Sequence, residues 1–478
     1  MGVLRRSARL VVALSAALIT SSLAFPAFAV TCIDPELMME ERKAERYFAW
    51  ANCYTVKVRT RVEYPFEDTR GSYSGAGFLI NRKLGWIATN AHVSSRNPES
   101  LEIAFKGKKF IEASLHYVDY LLDFAILKVS PEKIPDWSIP AELACSGEPT
   151  VGSAVGAYGH PYSLSYSGTR GIVSGMRYRR GRRWVQTDAP INKGNSGGPL
   201  ISLTNGKVIG INSATLSKRK SEGLGFAVPM YHACTLIRLL EGEIDPSPSY
   251  IPISFAFDRD ASVSDLYVAI VYRKQPVHWP LKVGDRVIAL ADDPEVEFEN
   301  QGDLVHALRG KRNKVGLLIE RSGKRETVFV DSKPRPKLIT RVGLHVSGIV
   351  IGRQPLKDDE LLNPDGLLTV YDVASASIGS QAGVASYNHL VSVDGKSFKH
   401  VDDLCGYLKK AEEKKEKVKM VTRIDKYEYR AQSKYGLHLM KPKNVKLVGP
   451  EAPENCGNGN MEADGEKEGA VISSVSLR

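Results

Sequence analysis

Two signatures of metal and redox chemistry are missing from this chain of 478 residues, which holds neither a C-x-x-C pair nor H-E-x-x-H. Either spacing would bring two ligands onto one face of the backbone, so zinc and dithiol chemistry have no foothold and no cofactor is expected. Cysteine is sparse, with six residues at 32, 53, 145, 234, 405 and 456, too thinly spread for a small disulfide scaffold. After the N-terminal segment no apolar run is long enough to cross a bilayer. The basic clusters carry no nucleic-acid motif, so a nucleic-acid partner is not expected.

What is present begins with a leader. Arg5, Arg6 and Arg9 form a positive start, Leu10 to Ile19 is almost wholly apolar, and Ala27-Phe28-Ala29 supplies small residues at the right spacing. That is the pattern of a signal peptide over residues 1–29, cleaved after Ala29. Export permits disulfides, and Cys32 with Cys53 is the first expected bridge because they are the nearest pair. Removing the leader's three arginines takes the formal charge from +11 to +8. Such a balance favours anionic clients or contact with an anionic membrane surface, and has no bearing on fold. The densest basic cluster, Arg177, Arg179, Arg180, Arg182 and Arg183, reads either as a solvated loop or as a regulatory contact.

Length alone suggests roughly three domains of about 100–200 residues each. A unit over 40–240 opens with a short helical pattern around Tyr47, Phe48 and Trp50, then runs through short β-branched segments punctuated by Gly, Pro, Asn and Ser. Such spacing belongs to a barrel or sandwich, so the fold is expected to be mainly β. Glu241 to Ser249 reads as a linker, followed by units over 250–332 and 340–440 of similar strand and helix order. The stretch 441–478 turns rich in Gly, Asn and Glu and is expected to be a mobile tail.

Chemistry is concentrated in the first unit. Gly194-Asn195-Ser196-Gly197-Gly198-Pro199-Leu200 presents a serine between glycines, which tolerate unusual backbone angles and close approach of a substrate chain. A serine hydroxyl is a poor nucleophile without a neighbouring base and a site for developing negative charge. His92, in Thr89-Asn90-Ala91-His92-Val93, is the candidate base. Asp123 sits inside the apolar run Leu121 to Leu127, where an unpaired carboxylate would lose water at a cost of several kcal/mol. An imidazole N–H would satisfy it and fix the tautomer that leaves the other ring nitrogen free to accept a proton. Asp119 reads instead as an exposed or capped acid at a strand end, and His116 and His160 as structural histidines. The order His, Asp, Ser is that of chymotrypsin. The literal G-x-S-x-G match to an esterase nucleophile elbow lacks the required strand–turn–helix setting, and a good His and Asp lie upstream of the serine instead of downstream.

These motifs, with Gln186-Thr187-Asp188-Ala189 before the serine and Gly223-Leu224-Gly225-Phe226-Ala227-Val228-Pro229 after it, resemble the HtrA (Deg) family of trypsin-like serine proteases. The resemblance is strong from about Ala49 to Leu240. It implies a chymotrypsin-type double β-barrel followed by two PDZ-like domains, and a periplasmic enzyme that degrades unfolded or misfolded proteins. It further implies a homo-oligomer, a trimer or a multiple of one, recruiting peptide termini through the PDZ-like units.

Carried over by position, Ser196 is the nucleophile, His92 the base and Asp123 its orienter. The oxyanion hole falls on the N–H groups of Gly194 and Ser196, with Asn195 between them. Pro190 stands where trypsin has its acid. Ile191, Ile211, Asn212 and Ser213 are then expected to line a pocket for small or medium aliphatic side chains. Lys193 stands where the family usually has proline. In the first PDZ-like unit Pro252 replaces a glycine and supplies no N–H, so Val342, Gly343 and Leu344 of the second are the expected peptide-binding residues. A chaperone or PDZ scaffold with an idle protease domain is the alternative.

Overall fold

The computed structural model describes residues 43–456 except 67, 161–165, 180–181, 214–223, 257–265, 273–276, 354–365 and 427–431. The expected leader, Cys32, Arg180 and the loop from Leu216 to Glu222 lie outside the described residues.

Helix α1 (Lys43–Tyr54) leads into β1 (Thr55–Val62), whose Val56, Val58 and Val62 point inward while Arg59 and Arg61 face out. Strands β2 (Gly71–Asn81), β3 (Trp86–Thr89), β4 (Ser100–Phe105), β5 (Ile111–Asp119) and β6 (Phe124–Lys128) follow, and β3 is buried along its whole length. A short helix α2 (Ala91–Ser94) follows β3. The six strands close into a barrel in the order β1-β2-β3-β6-β5-β4, which leaves no open edge.

A second closed barrel, β10-β11-β12-β9-β8-β7, is built from β7 (Ala154–Gly159), β8 (Ser167–Arg179), β9 (Arg182–Thr187), β10 (Pro199–Ser202), β11 (Val208–Ser213) and β12 (Gly225–Pro229). Helix α3 (Met230–Glu241) follows it, and a Cys145–Cys234 disulfide ties that helix to the segment entering this barrel. Phe78, Ile87 and Ile126 of the first barrel belong to one buried cluster with Ile201 and Ile211 of the second and Met230 of α3. The chain is therefore mainly β, with the double barrel of chymotrypsin-type proteases.

A five-stranded sheet follows, ordered β13 (Ile253–Phe255), β14 (Leu266–Val271), β15 (Arg286–Leu290), β16 (Asn313–Arg321), β17 (Lys324–Ser332). Helix α4 (Gln301–Ala307) lies between β15 and β16 in the chain. It is capped by Asn300, whose side-chain oxygen accepts from the Asp303 N–H at 2.9 Å. A seven-stranded sheet completes the described chain, built from β18 (Gly343–Val346), β19 (Ile349–Gly352), β20 (Leu368–Val373), β21 (His389–Val393), β22 (Val418–Lys426), β23 (Gln432–Met440) and β24 (Lys446–Val448). Its order is β23-β22-β21-β20-β19-β18-β24, with helices α5 (Ile378–Gln381) and α6 (Val401–Glu413) in its connections.

The expectation of a mobile tail over 441–478 is corrected for residues 441–456, while 457–478 lie outside the described residues. Strand β24 pairs with β18, Leu344 opposite Leu447, and a Cys405–Cys456 disulfide fastens the following segment to α6. The polar composition beyond 441 conceals Val445, Leu447 and Val448, which are buried. Cys53 is disulfide-bonded as well, while Cys32, its expected partner, is not among the described residues.

Candidate active site

The site forms where the two barrels meet. Strand β3 ends at Thr89, Asn90 is the N-cap of α2, and His92 sits in its first turn. Thr89 Oγ1 donates to the Ala76 carbonyl at 2.7 Å, and Thr60 Oγ1 donates to the Val93 carbonyl at 2.7 Å, which pins both ends of the turn.

Asp123 closes the β5–β6 connection with φ of 57°, a left-handed backbone that aspartate tolerates better than most residues. Its carboxylate is 7% exposed and does not stand alone. His92 Nδ1 lies 2.9 Å from Oδ1 and 3.0 Å from Oδ2. The His92 backbone N–H donates to Oδ1 at 3.1 Å, and Ser213 Oγ donates to Oδ2 at 3.2 Å. Asn90 Nδ2 adds a bond to the Asp123 carbonyl at 3.0 Å. With the carboxylate accepting at Nδ1, that nitrogen carries the proton and Nε2 is the basic one.

Ser196 belongs to the tight turn before β10, and its carbonyl accepts from the Ala76 N–H at 2.7 Å, binding the serine's turn to the first barrel. The following residue has to be glycine. Gly197 has φ of +85°, and a Cβ there would stand 2.1 Å from the Ala76 carbonyl oxygen and 2.3 Å from Thr89 Oγ1. Gly197 N–H donates to Asn212 O, and Asn212 N–H returns a bond to Gly198 O, so β11 clamps the turn from the other side.

The Asn195 N–H donates back to Asn192 O at 2.9 Å and so is turned away from the substrate face. Gly194, with φ of 104°, has an N–H that bonds no partner among the described residues. Asn195 is buried, packed where a Cβ on Gly159 would come within 2.9 Å of it.

The expected pocket is redrawn in part. Ile191 is half-buried and leans against Gly225, where a Cβ would meet Ile191 Cδ1 at 3.0 Å. Ile211 is instead fully buried in the core shared by the barrels. Asn212 is also fully buried, with Nδ2 donating to Pro199 O at 2.9 Å and Tyr158 O at 3.3 Å, so neither residue lines an open pocket. All six residues of β11 are buried, and sequence alternation alone could not reveal that. Ser213 holds the Asp123 carboxylate, a role the sequence reading missed.

The rival histidines lie elsewhere. His116 stacks against Trp86 at 5.1 Å, and His160 is buried with Nε2 at 2.5 Å from the Gly75 carbonyl. Burial pushes both imidazoles down from the ordinary value.

The peptide-binding expectation at Val342, Gly343 and Leu344 is overturned. Gly343 and Leu344 lie in β18, which pairs with β19 on one side and β24 on the other, so neither edge is open to a peptide strand. Gly343 lacks a side chain for a different reason. A Cβ there would stand 2.4 Å from the Phe66 ring, which projects from the first barrel.

A double barrel with a serine turn and a carboxylate-bound histidine at its seam defines a trypsin-like serine endopeptidase. Comparison agrees, since residues 75–211 match the trypsin-like peptidase domain model. The periplasmic pH-dependent serine endoprotease DegQ of Escherichia coli is 30% identical over 353 residues, covering 69% of this chain and 73% of that protein. Human serine protease HTRA4 is 39% identical over 167 residues, 33% of each chain. The solved serine endoprotease from Yersinia pestis is 28% identical with a TM-score of 0.47, covering 62% of this chain and 99% of that one. The chain belongs to the HtrA (Deg) family of serine endoproteases.

Proposed function

We propose that this chain is an exported, periplasmic endopeptidase that hydrolyses unfolded or misfolded proteins through Ser196, His92 and Asp123. The observation that carries the reading is the Asp123 carboxylate holding His92 Nδ1 at 2.9 and 3.0 Å beside the turn of Ser196. His92 Nε2 takes the proton of Ser196 Oγ as the oxygen attacks the scissile carbonyl carbon. The carbonyl oxygen gains the negative charge, and the N–H groups of Gly194 and Ser196 stabilise it. His92 then gives the proton to the departing amine. A water molecule deprotonated by the same nitrogen hydrolyses the acyl-enzyme. Asp123 keeps the ring oriented and stabilises the imidazolium without taking the proton.

Ile191 and Gly225 suit a pocket for small or medium aliphatic side chains, which a peptide library cleaved mainly after Arg or Lys would refute. Recruitment of client ends falls to the first PDZ-like unit. There β13 is the edge strand, and Ile251, Gln301 and Val305 line one side of a cavity of about 230 Å³ whose other walls include Leu121 and Arg182 of the barrels. An extended segment adds there as a further strand.

Ser196→Ala tests the whole mechanism. Hydrolysis of denatured casein is expected to fall by about 10⁴–10⁶-fold, with loss of fluorophosphonate labelling. Casein cleavage that survives the substitution would remove the mechanism.

A further inference from the structure

Asp119 ends β5, and its side chain is 1% exposed. Oδ1 accepts from the Leu122 N–H at 2.8 Å, closing the turn that delivers Asp123, and Oδ2 accepts from Tyr117 Oη at 3.2 Å. A buried carboxylate with only neutral donors is poorly compensated and needs a counter-charge. The first barrel does not supply it. The cation on Asp119 is Arg309, which follows α4 in the five-stranded unit, with Nη1 at 2.6 Å from Oδ2 and a side chain with no exposure.

Arg309 is itself held in place. Nη1 donates to Pro246 O at 2.6 Å, and Nε donates to His306 Nδ1 at 3.3 Å. A planar guanidinium fixed at two of its nitrogens delivers its charge in one direction, which the flexible ammonium of lysine cannot do.

We infer that Arg309 is a positioning residue for hydrolysis: through Asp119 it fixes the β5–β6 turn and so the placement of Asp123 against His92. The inference rests on the proposed roles of His92, Asp123 and Ser196. Two features of the turn make it sensitive. Asp123 occupies a left-handed backbone, which persists only where the surroundings enforce it. The turn has only Tyr120, Leu121, Leu122 and Asp123 between paired strands, since Asp119 faces Phe124 in the β5–β6 ladder. A shift at Asp119 is therefore passed to Asp123 with little slack. The five-stranded unit contributes in this way to the hydrolytic centre without touching the substrate.

The test compares the full-length chain with Arg309→Met, Arg309→Lys and Asp119→Asn, using a short chromogenic peptide that needs no recruitment. Arg309→Met is expected to lower kcat by about 10–100-fold with KM nearly unchanged, because positioning of the reacting groups is lost and binding is not. The fluorophosphonate labelling rate falls in parallel. Arg309→Lys, which keeps the charge, recovers part of the rate. Asp119→Asn combined with Arg309→Met is expected to lose less than the two single losses multiplied, the mark of one shared interaction.

Wild-type kcat and labelling rate in a folded Arg309→Met protein overturn the inference. Should Ser196→Ala retain activity, the underlying catalytic reading fails instead, so the two failures are told apart.

Discussion

The two C-terminal units set a helix against a short strand in the same way, yet only one leaves the strand's outer edge open. In the five-stranded unit β13 is terminal, and Ile251 before it and Val305 on α4 line a cavity that Leu121 and Arg182 of the barrels also wall. In the seven-stranded unit the equivalent strand, β19, is covered by β18, and β24 lies beyond that. Leu344 and Val346 of β18 are fully buried in one cluster with Leu404 and Leu408 of α6. The chain has filled its own second groove, and what could be a receptor has become a brace. The brace reaches the first barrel. Phe66 joins Val350, Tyr371 and Val448 in a separate buried cluster, and Arg70 pairs with Asp372 at 2.6 Å.

The strongest way to break this contrast is to place a charge in the filled groove. Leu344→Asp buries a carboxylate among apolar side chains, and the expected loss is about 3–5 kcal/mol of stability, read by urea unfolding followed at the seven-stranded unit. The matching change in the open groove, Val305→Asp, is expected to weaken binding of a labelled peptide while shifting the unfolding midpoint little. Comparable destabilisation by both substitutions would abolish the distinction between groove and brace.

A milder test concerns what keeps β24 in place. The Cys405–Cys456 bridge closes a loop over a sequence separation of 51 residues. Removing it with a paired serine substitution is expected to cost about 2–4 kcal/mol. Amide exchange should accelerate at Lys446 to Val448 and along β18, and stay unchanged in β13. Uniform acceleration across both units would mean that they unfold together and that the bridge does not act locally.

The residues at the barrel seam were legible because each is forced by local chemistry. An aspartate heading an apolar strand demands a partner, and Ser196 precedes a glycine that no other residue can replace against Ala76 and Thr89. What stayed hidden depends on distant segments. Asp119 reads as an exposed strand-end acid, yet it is buried because Arg309, far along the chain, covers it. Gly343 reads as a loop glycine of a peptide site, and only the Phe66 ring explains it. Ser213 reads as a pocket wall until its hydroxyl is seen to bond Asp123. Strand alternation specifies which residues face inward, but not which neighbour meets them.

The smallest expected effect concerns how each unit is fastened, and it is set by pH. The five-stranded unit meets the second barrel through two imidazoles, His232 on α3 and His306 on α4, stacked 4.0 Å apart at an interplanar angle of 9°. Burial pushes His232 down to about 4, with the Arg309 and Arg183 charges adding to it. His306 is also held well below the ordinary value, by burial first and then by His232 and Arg309. Arg183, whose charge adds to the depression of His232, is itself paired with Glu148 and Glu299 at 2.8 Å each. Both rings are therefore neutral when docked and take up protons near 6.5 when released. Protons favour the released state, so the contact is at full strength above about pH 6.5 and weakens as pH falls toward 4. The expected loss is on the order of 1–2 kcal/mol, since both rings keep some solvent contact. His345 in the seven-stranded unit shifts in the same direction, but the Asn444 carbonyl opposes its shift, so that unit should respond less. Amide exchange from pH 7 to pH 4.5, corrected for intrinsic rates, should show α3 and α4 losing protection before β18 and β24. His306→Phe, which keeps the stacked ring without a titrating nitrogen, should flatten the response.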